Sequence, residues 1–246
     1  MLTILRQAKY FALSSVAARK TDVKLDAPCC SITFDDVPIS AFENAVPILL
    51  ENKVPATFYV ATGLSQTGGF IGGDQICALA SQGFDMACHT FSHYRLSEGH
   101  AEELANDAGK NRQRLAELAG VGAPRDFSYP FGEVSLSAKR LLMRHYRTMR
   151  SVYPGINSKG ADLCMLKANP IYSSSIDWST IQRLINETVE RHAWLIFYTH
   201  GVEAEPDSYG CRPQDLLRVI KECANAGLSF RSVRAVSGEL VRGTLV

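Results

Sequence analysis

Short apolar runs alternate with amphipathic helical stretches along almost the whole 246-residue chain, and this alternation constrains its fold more than any other feature. Runs rich in β-branched and aromatic residues predict strands over 31–34, 57–60, 84–88, 127–129, 148–152, 164–166, 195–199 and 230–233. Between them, helical spacing predicts helices over 41–52, 73–82, 101–118, 135–145, 180–191 and 213–226. Pro213 suits a first helical turn, while Gly83 and Gly227 suit helix stops. Strand–helix alternation argues for a parallel sheet, and this many units argue for a closed or nearly closed barrel. The expected fold is therefore α/β, a single-domain distorted (β/α) barrel with seven or eight parallel strands. No repeat, low-complexity tract or linker divides it.

Three of the predicted strands end in metal-binding side chains. Ser31-Ile32-Thr33-Phe34 runs into Asp35-Asp36; the strand ending at Cys88 runs into His89-Thr90-Phe91-Ser92-His93; and Leu195-Ile196-Phe197-Tyr198-Thr199 runs into His200. An Asp and two His make three protein ligands and leave coordination positions open, the pattern of a catalytic zinc site. A spare carboxylate and a spare imidazole remain to move protons. In (β/α) barrels the chemistry sits at the C-terminal strand ends, where all these residues fall. His89 and His93, four apart, are expected to share a helical face. Cys88 precedes His89 on a strand, so its side chain should point away, and it reads as a small buried apolar group. Each motif also has a structural reading: two turn-forming acids, two surface histidines and a buried histidine.

Composition excludes other classes. The net charge is +1, from 26 Lys and Arg against 25 Asp and Glu, and no basic stripe interleaved with aromatics appears, so no nucleic-acid partner is expected. Seven cysteines without framework spacing fit a reduced compartment, and the expected location is cytoplasmic, with periplasmic or membrane-peripheral as the alternatives. Residues 1–20 carry Arg6, Lys9, Arg19 and Lys20 and no acid. Ser14-Ser15 breaks their apolar run, which disfavours a signal peptide. Residues 1–28 are expected to form an N-terminal helical extension, with Leu5, Ala8, Ala12 and Val16 on its packing face, and 29–246 the barrel. A basic interfacial helix is the weaker alternative. No run approaches the ~18 apolar residues of a membrane span.

In order and content, these motifs resemble the polysaccharide deacetylases of the NodB-homology type, a metal-dependent family of carbohydrate esterases (family four). T-F-D-D matches Thr33 to Asp36; H-[ST]-x-x-H matches His89 to His93; the R-x-P-[YF]-G segment falls on Phe127-Ser128-Tyr129-Pro130-Phe131-Gly132; and the apolar strand ending in His matches Leu195 to His200. The resemblance spans roughly residues 30–233. It implies that Asp36, His89 and His93 hold one divalent metal, zinc with cobalt or nickel as alternatives, that Asp35 is the general base, and that His200 protonates the departing amine. It assigns Tyr129, Pro130 and Phe131 to the substrate side, with the Phe131 N–H facing the acetyl oxygen. Asp177-Trp178 is either the family's fourth motif, orienting His200 and lining the sugar groove, or the cap of the helix that follows.

The family's third-motif Arg, which steadies the base carboxylate, is replaced by Ser128. Arg125 is a poor substitute on the opposite strand face, whereas Arg150, ending the next strand, could reach in. The implied activity is metal-dependent removal of N-acetyl groups from an amino-sugar glycan or glycan intermediate, releasing acetate. Hydrolysis of a related amide or O-acetyl ester, and a catalytically silent carbohydrate-binding role, are the rivals. The oligomeric state is not legible.

Overall fold

The computed structural model describes residues 10–16 and 18–242. Its main sheet is parallel throughout and curls into a half-barrel. It contains β2 (Cys29–Asp36), β3 (Ala56–Val60), β4 (Asp85–Cys88), β5 (Asp126–Ser128), β6 (Thr148–Arg150), β8 (Asn169–Pro170), β9 (Trp194–Thr199) and β10 (Ser229–Phe230). The order is β6-β5-β4-β3-β2-β9-β8. β10 lies beside Cys29 and Cys30, the start of β2, before β3 begins its pairing at Ile32. A separate antiparallel pair joins β1 (Lys20–Thr21) to β7 (Ala161–Asp162).

The helices are α1 (Val46–Glu51, entered through a π-turn at Ala41–Ala45), α2 (Gly73–Ser81), α3 (Ala101–Ala119), α4 (Leu136–Leu142), α5 (Trp178–Glu190), α6 (Pro213–Asn225) and α7 (Val233–Arg242). Pro213 stands in the first turn of α6, and Gly83 and Gly227 follow α2 and α6 with φ of 86° and 81°, a region that costs glycine little.

Central parallel strands are buried on both faces, and β2 shows how one sequence serves both. Cys30, Ile32 and Phe34 join the core beneath the helices, where Phe34 stacks on Phe58 at 4.9 Å. Ser31, Thr33 and Asp35 face the other way, into the half-barrel. The two hydroxyls are satisfied there: Trp194 Nε1 donates to Ser31 Oγ at 2.8 Å, and Thr33 Oγ1 donates to the Phe197 carbonyl at 2.8 Å. Asp35 continues this inward face, and Asp36, at φ 59°, ends the regular alternation at the strand exit.

Three elements differ from expectation. Residues 164–166 are a buried turn held by Asp162, whose carboxylate accepts the Cys164 N–H at 3.0 Å, and Leu166 makes only an isolated bridge to Arg150. The apolar run reflects burial rather than strand pairing. The strand is instead Asn169–Pro170, tolerated because β8 is the sheet edge, where proline's missing N–H costs no pairing. The final strand stops at Phe230, and Val233 instead opens α7, which closes the lower end of the half-barrel: Val233 N–H donates to Thr57 Oγ1 at 3.0 Å and Arg234 pairs with Asp85.

Of the N-terminal segment, Leu5 and Ala8 lie outside the described residues. Residues 10–15 are helical, and the chain then runs on to strand β1. Ala12 and Val16 are exposed; Leu13 and Tyr10 do the packing, Tyr10 against Tyr153 at 4.9 Å. The described part of the expected face, Ala12 and Val16, is thus turned outward.

Candidate active site

Asp35, Asp36, His89, His93, Tyr129, Phe131 and His200 line one cavity of about 940 Å3 at the C-terminal ends of the strands. Asp36 Oδ1 lies 3.3 Å from His89 Nε2 and 3.2 Å from His93 Nε2. The ligand atoms of these three residues all fall within 4.8 Å of one another. His200 Nε2 approaches the other Asp36 oxygen at 3.9 Å.

The histidines do not converge by helical spacing, as the sequence led us to expect. Residues 89–95 form a loop with Thr90 at φ 62° and His93 at φ 54°. Asp107, on α3, pins it by accepting the Phe91 and Ser92 N–H groups at 2.7 and 2.9 Å. Thr90 Oγ1 accepts the Tyr94 N–H at 2.9 Å. Asp36, Val37 and Phe131 also have positive φ, at 59°, 61° and 57°. Among the described residues, five of the seven non-glycine residues with positive φ therefore sit at or beside this site, a concentration of backbone strain that the surrounding fold must sustain.

The donor set fits a cation. Ser128 presents its carbonyl 2.9 Å from His89 Nδ1, which places the ring proton there and leaves Nε2 as a bare lone pair toward Asp36. Burial pushes the His89 pKa down to about 3 and the His93 pKa down to about 4, so both rings are neutral at pH 7. Burial and the neighbouring Asp35 push Asp36 up to about 7. Asp36 Oδ1 is buried without a hydrogen-bond partner. Three groups able to serve as lone-pair ligands thus converge, a set that would hold a divalent metal.

Asp35 is buried and in a different electrostatic state. Burial alone would raise its pKa, but the Arg150 guanidinium, aided by His89 and His200, holds it below the usual carboxylate range. Arg150 Nη2 bonds Asp35 Oδ2, while Oδ1 is buried and unpartnered. Arg150 itself is fully buried between the rings of Tyr59 and Tyr198, at 5.1 and 4.7 Å, and also donates to the Ser151 carbonyl. So the cation absent from Ser128 comes from the end of β6, paired in register with Ser128, and Arg125 takes no part.

Phe131 occupies a left-handed turn whose hydrogen bonds come from Gly132 N–H and Glu133 N–H, so its own N–H is used by neither. Gly132, at φ 66°, has no room for a Cβ, which would meet Val152 Cγ2 at 2.2 Å. The Phe131 ring is sandwiched between His93 at 4.3 Å and the Arg95 guanidinium at 3.4 Å. Tyr129 turns its hydroxyl into the core, donating to the Cys164 carbonyl at 3.2 Å, and Pro130 is buried. Cys88 likewise points into the core, toward the Ala108 carbonyl of α3.

His200 Nδ1 donates to the Tyr209 carbonyl at 3.2 Å, and burial pushes its pKa down. Tyr209 and Tyr172 flank its ring at 5.7 and 5.9 Å. Asp177 does not orient it. Asp177 is the exposed N-cap of α5, its oxygens taken by Ser179 and Thr180, and Trp178 lies under the Arg218 guanidinium at 3.8 Å. Neither lines the cavity. The capping chemistry of Asp-Trp-Ser-Thr wins because its hydrogen bonds are all local.

The sequence profile of the polysaccharide deacetylase family matches residues 22–148, just over half of the chain. The protein belongs to that family. Solved structures carry the same fold over nearly its whole length. A family 4 carbohydrate esterase from Bacillus anthracis superimposes with a TM-score of 0.62 at 16% identity, covering 95% of this chain and 91% of that one. Bacillus subtilis PdaA, a family 4 carbohydrate esterase, gives 0.63 at 13% identity, covering 96% and 90%. The Bc1960 peptidoglycan N-acetylglucosamine deacetylase gives 0.65 at 17% identity, covering 92% and 95%. No protein of curated function matches the sequence. Among the described residues, no helix is long and apolar enough to cross a membrane.

Proposed function

We propose that this polysaccharide deacetylase is a metal-dependent hydrolase that removes N-acetyl groups from an amino-sugar glycan or glycan intermediate, releasing acetate. The carrying observation is the pairing of a three-acceptor cluster, Asp36, His89 and His93, with an adjacent carboxylate kept ionised by Arg150. A divalent cation held by those three would supply Lewis acidity at the acyl oxygen and an acidified water, with zinc the best match to the donors and cobalt or nickel acceptable.

The chain's own residues supply the proton transfers. Asp35 Oδ1, buried and unpartnered, takes the proton of the attacking water. The Phe131 N–H donates to the oxygen that becomes negative in the tetrahedral intermediate. His200 presents Nε2 to the cavity because Nδ1 is committed to Tyr209; its imidazolium form passes the Nε2 proton to the departing nitrogen, the proton that Asp35 took from water returns to His200, and the amine and acetate separate. The aromatic walls, Phe131, Tyr172 and Tyr209, offer apolar faces to a sugar ring. Arg150 at Asp35 supplies the positive partner whose loss at Ser128 was the one feature favouring a silent, binding-only role. Six of the seven unbridged cysteines are buried thiols, which fits the cytoplasmic location we favour.

Acetate release from N-acetylglucosamine oligomers tests the proposal, using metal-stripped protein with and without zinc and His89→Ala as the ligand-deletion control. Release should require added metal and vanish in the variant together with bound metal. Release that is indifferent to stripping, or confined to O-acetyl esters, would overturn it.

A further inference from the structure

The opposite pole of the half-barrel carries a second concavity, of about 590 Å3. Arg125 and Arg147 stand just before β5 and β6, at the strand ends remote from Asp35 and the histidines. Together with Arg19, Lys20, Arg112 and Arg144 they line this hollow, and no acidic residue does. Such segregation is unexpected in a chain of net charge +1. Elsewhere many surface arginines are paired: Arg95 with Glu133, Arg114 with Glu117, Arg218 with Glu222 and Arg231 with Glu239. Among the described residues, none of the six cations in the hollow makes an ion pair.

Part of the cluster is structural. The Arg19 guanidinium donates to the carbonyls of Met143, Tyr146 and Arg147 at 2.6–2.9 Å, closing the turn after α4. Arg112 Nε donates to the Pro124 carbonyl at 3.0 Å. The remainder has no such use. Arg147 Nε is buried with no hydrogen-bond partner. The nearby buried Asp126, which feels the Arg147 charge, is committed to the Thr148 hydroxyl at 2.7 Å. Side chains of like charge crowded around one hollow repel each other, and folding alone does not require them there.

We propose that this hollow binds a phosphate-bearing ligand, its oxygens taken by Arg112, Arg125, Arg144 and Arg147. Guanidinium groups present paired N–H donors that match phosphate oxygens, and several around one concavity suit an oxyanion of more than one charge. A nucleic-acid strand would also call for stacking surfaces. The one aromatic residue lining the hollow, Tyr146, is buried, with its hydroxyl tied to the Ala108 carbonyl. A ligand here leaves the deacetylation cavity free, since the two open at opposite poles. The inference therefore stands independently of the proposed activity.

Titration calorimetry of the full chain with inorganic pyrophosphate tests this, in parallel with co-sedimentation on phosphatidylcholine vesicles with and without phosphatidic acid. Arg125→Gln/Arg144→Gln is the variant, because both side chains are exposed and neither donates a structural hydrogen bond among the described residues. Saturable pyrophosphate binding should weaken with added salt and fall about tenfold or more in the variant, with its melting temperature unchanged. Vesicle binding lost in the same variant assigns the phosphate to a lipid headgroup; pyrophosphate binding without vesicle binding assigns it to a free phosphate compound. Absence of saturable binding in both assays, or equal binding by the variant, would overturn the proposal.

Discussion

Adjacent carboxylates on one strand end are driven to opposite states by what each one touches. Asp35 is ionised because a fully buried guanidinium bonds it; Asp36 is pushed up to about 7 because burial and Asp35 outweigh the opposing Arg150 charge. Asp35→Asn should keep its metal and lose roughly 10²–10⁴-fold in kcat, measured as acetate release. Arg150→Met removes the charge that stabilises the Asp35 anion, so the acidic limb of the kcat/KM profile should move to higher pH; an unmoved limb would mean that Arg150 does not set the base.

The Asp36 shift also has a sign for stability. Without metal, the folded state holds a proton on Asp36 between about 3.8 and 7 that the unfolded chain has lost, so this group makes metal-free stability fall as pH rises through that window. His89 and His93, depressed to about 3 and 4, act oppositely: the unfolded chain takes up protons below about 6.5, and stability falls as pH falls. In the folded chain above about pH 4 only Asp36 must give up a proton to a metal, and above about 7 it has already done so. The rise in melting temperature on adding zinc should therefore be larger at pH 8 than at pH 6.

At the scale of elements, the strands and helices were legible wherever periodicity and burial agreed, as in β2, β9, α3 and α6. They were misread where an apolar run was buried without pairing, as at 164–166, and where a short strand met a helix start, as at Val233. The 89–95 loop was legible in its chemistry and not in its shape, because its geometry is imposed by Asp107 from another element. Asp107→Ala should lower metal affinity by about 10–100-fold while α3 persists, as circular dichroism would show. Asp177→Ala makes the contrary case: loss of its cap should lower the melting temperature and leave kcat unchanged. A large fall in kcat would restore Asp177 to the site.

At the scale of the molecule, a buried ion pair within the barrel helps to fasten the N-terminal segment. Lys139 Nζ bonds Asp162 Oδ2 at 2.6 Å, both side chains fully buried, and also donates to the Leu13 carbonyl at 2.7 Å. Removing one partner of such a pair strands the other charge, so Lys139→Ala should cost about 3–5 kcal/mol in denaturant unfolding. A cost near zero would mean that the segment is held by the Arg19 hydrogen bonds and by Leu13 and Tyr10 packing.

Strand–helix alternation and the strand-end positions of Asp35, Asp36, His89, His93 and His200 were determined by sequence alone, because period and motif order are local properties of the chain. Four assignments waited for the tertiary structure: Arg150 as the partner of Asp35, Ser128 as the orienter of His89, Asp177 as a cap, and the basic hollow at the far pole. Each joins or separates side chains carried on different elements, and only closure of the sheet sets those distances.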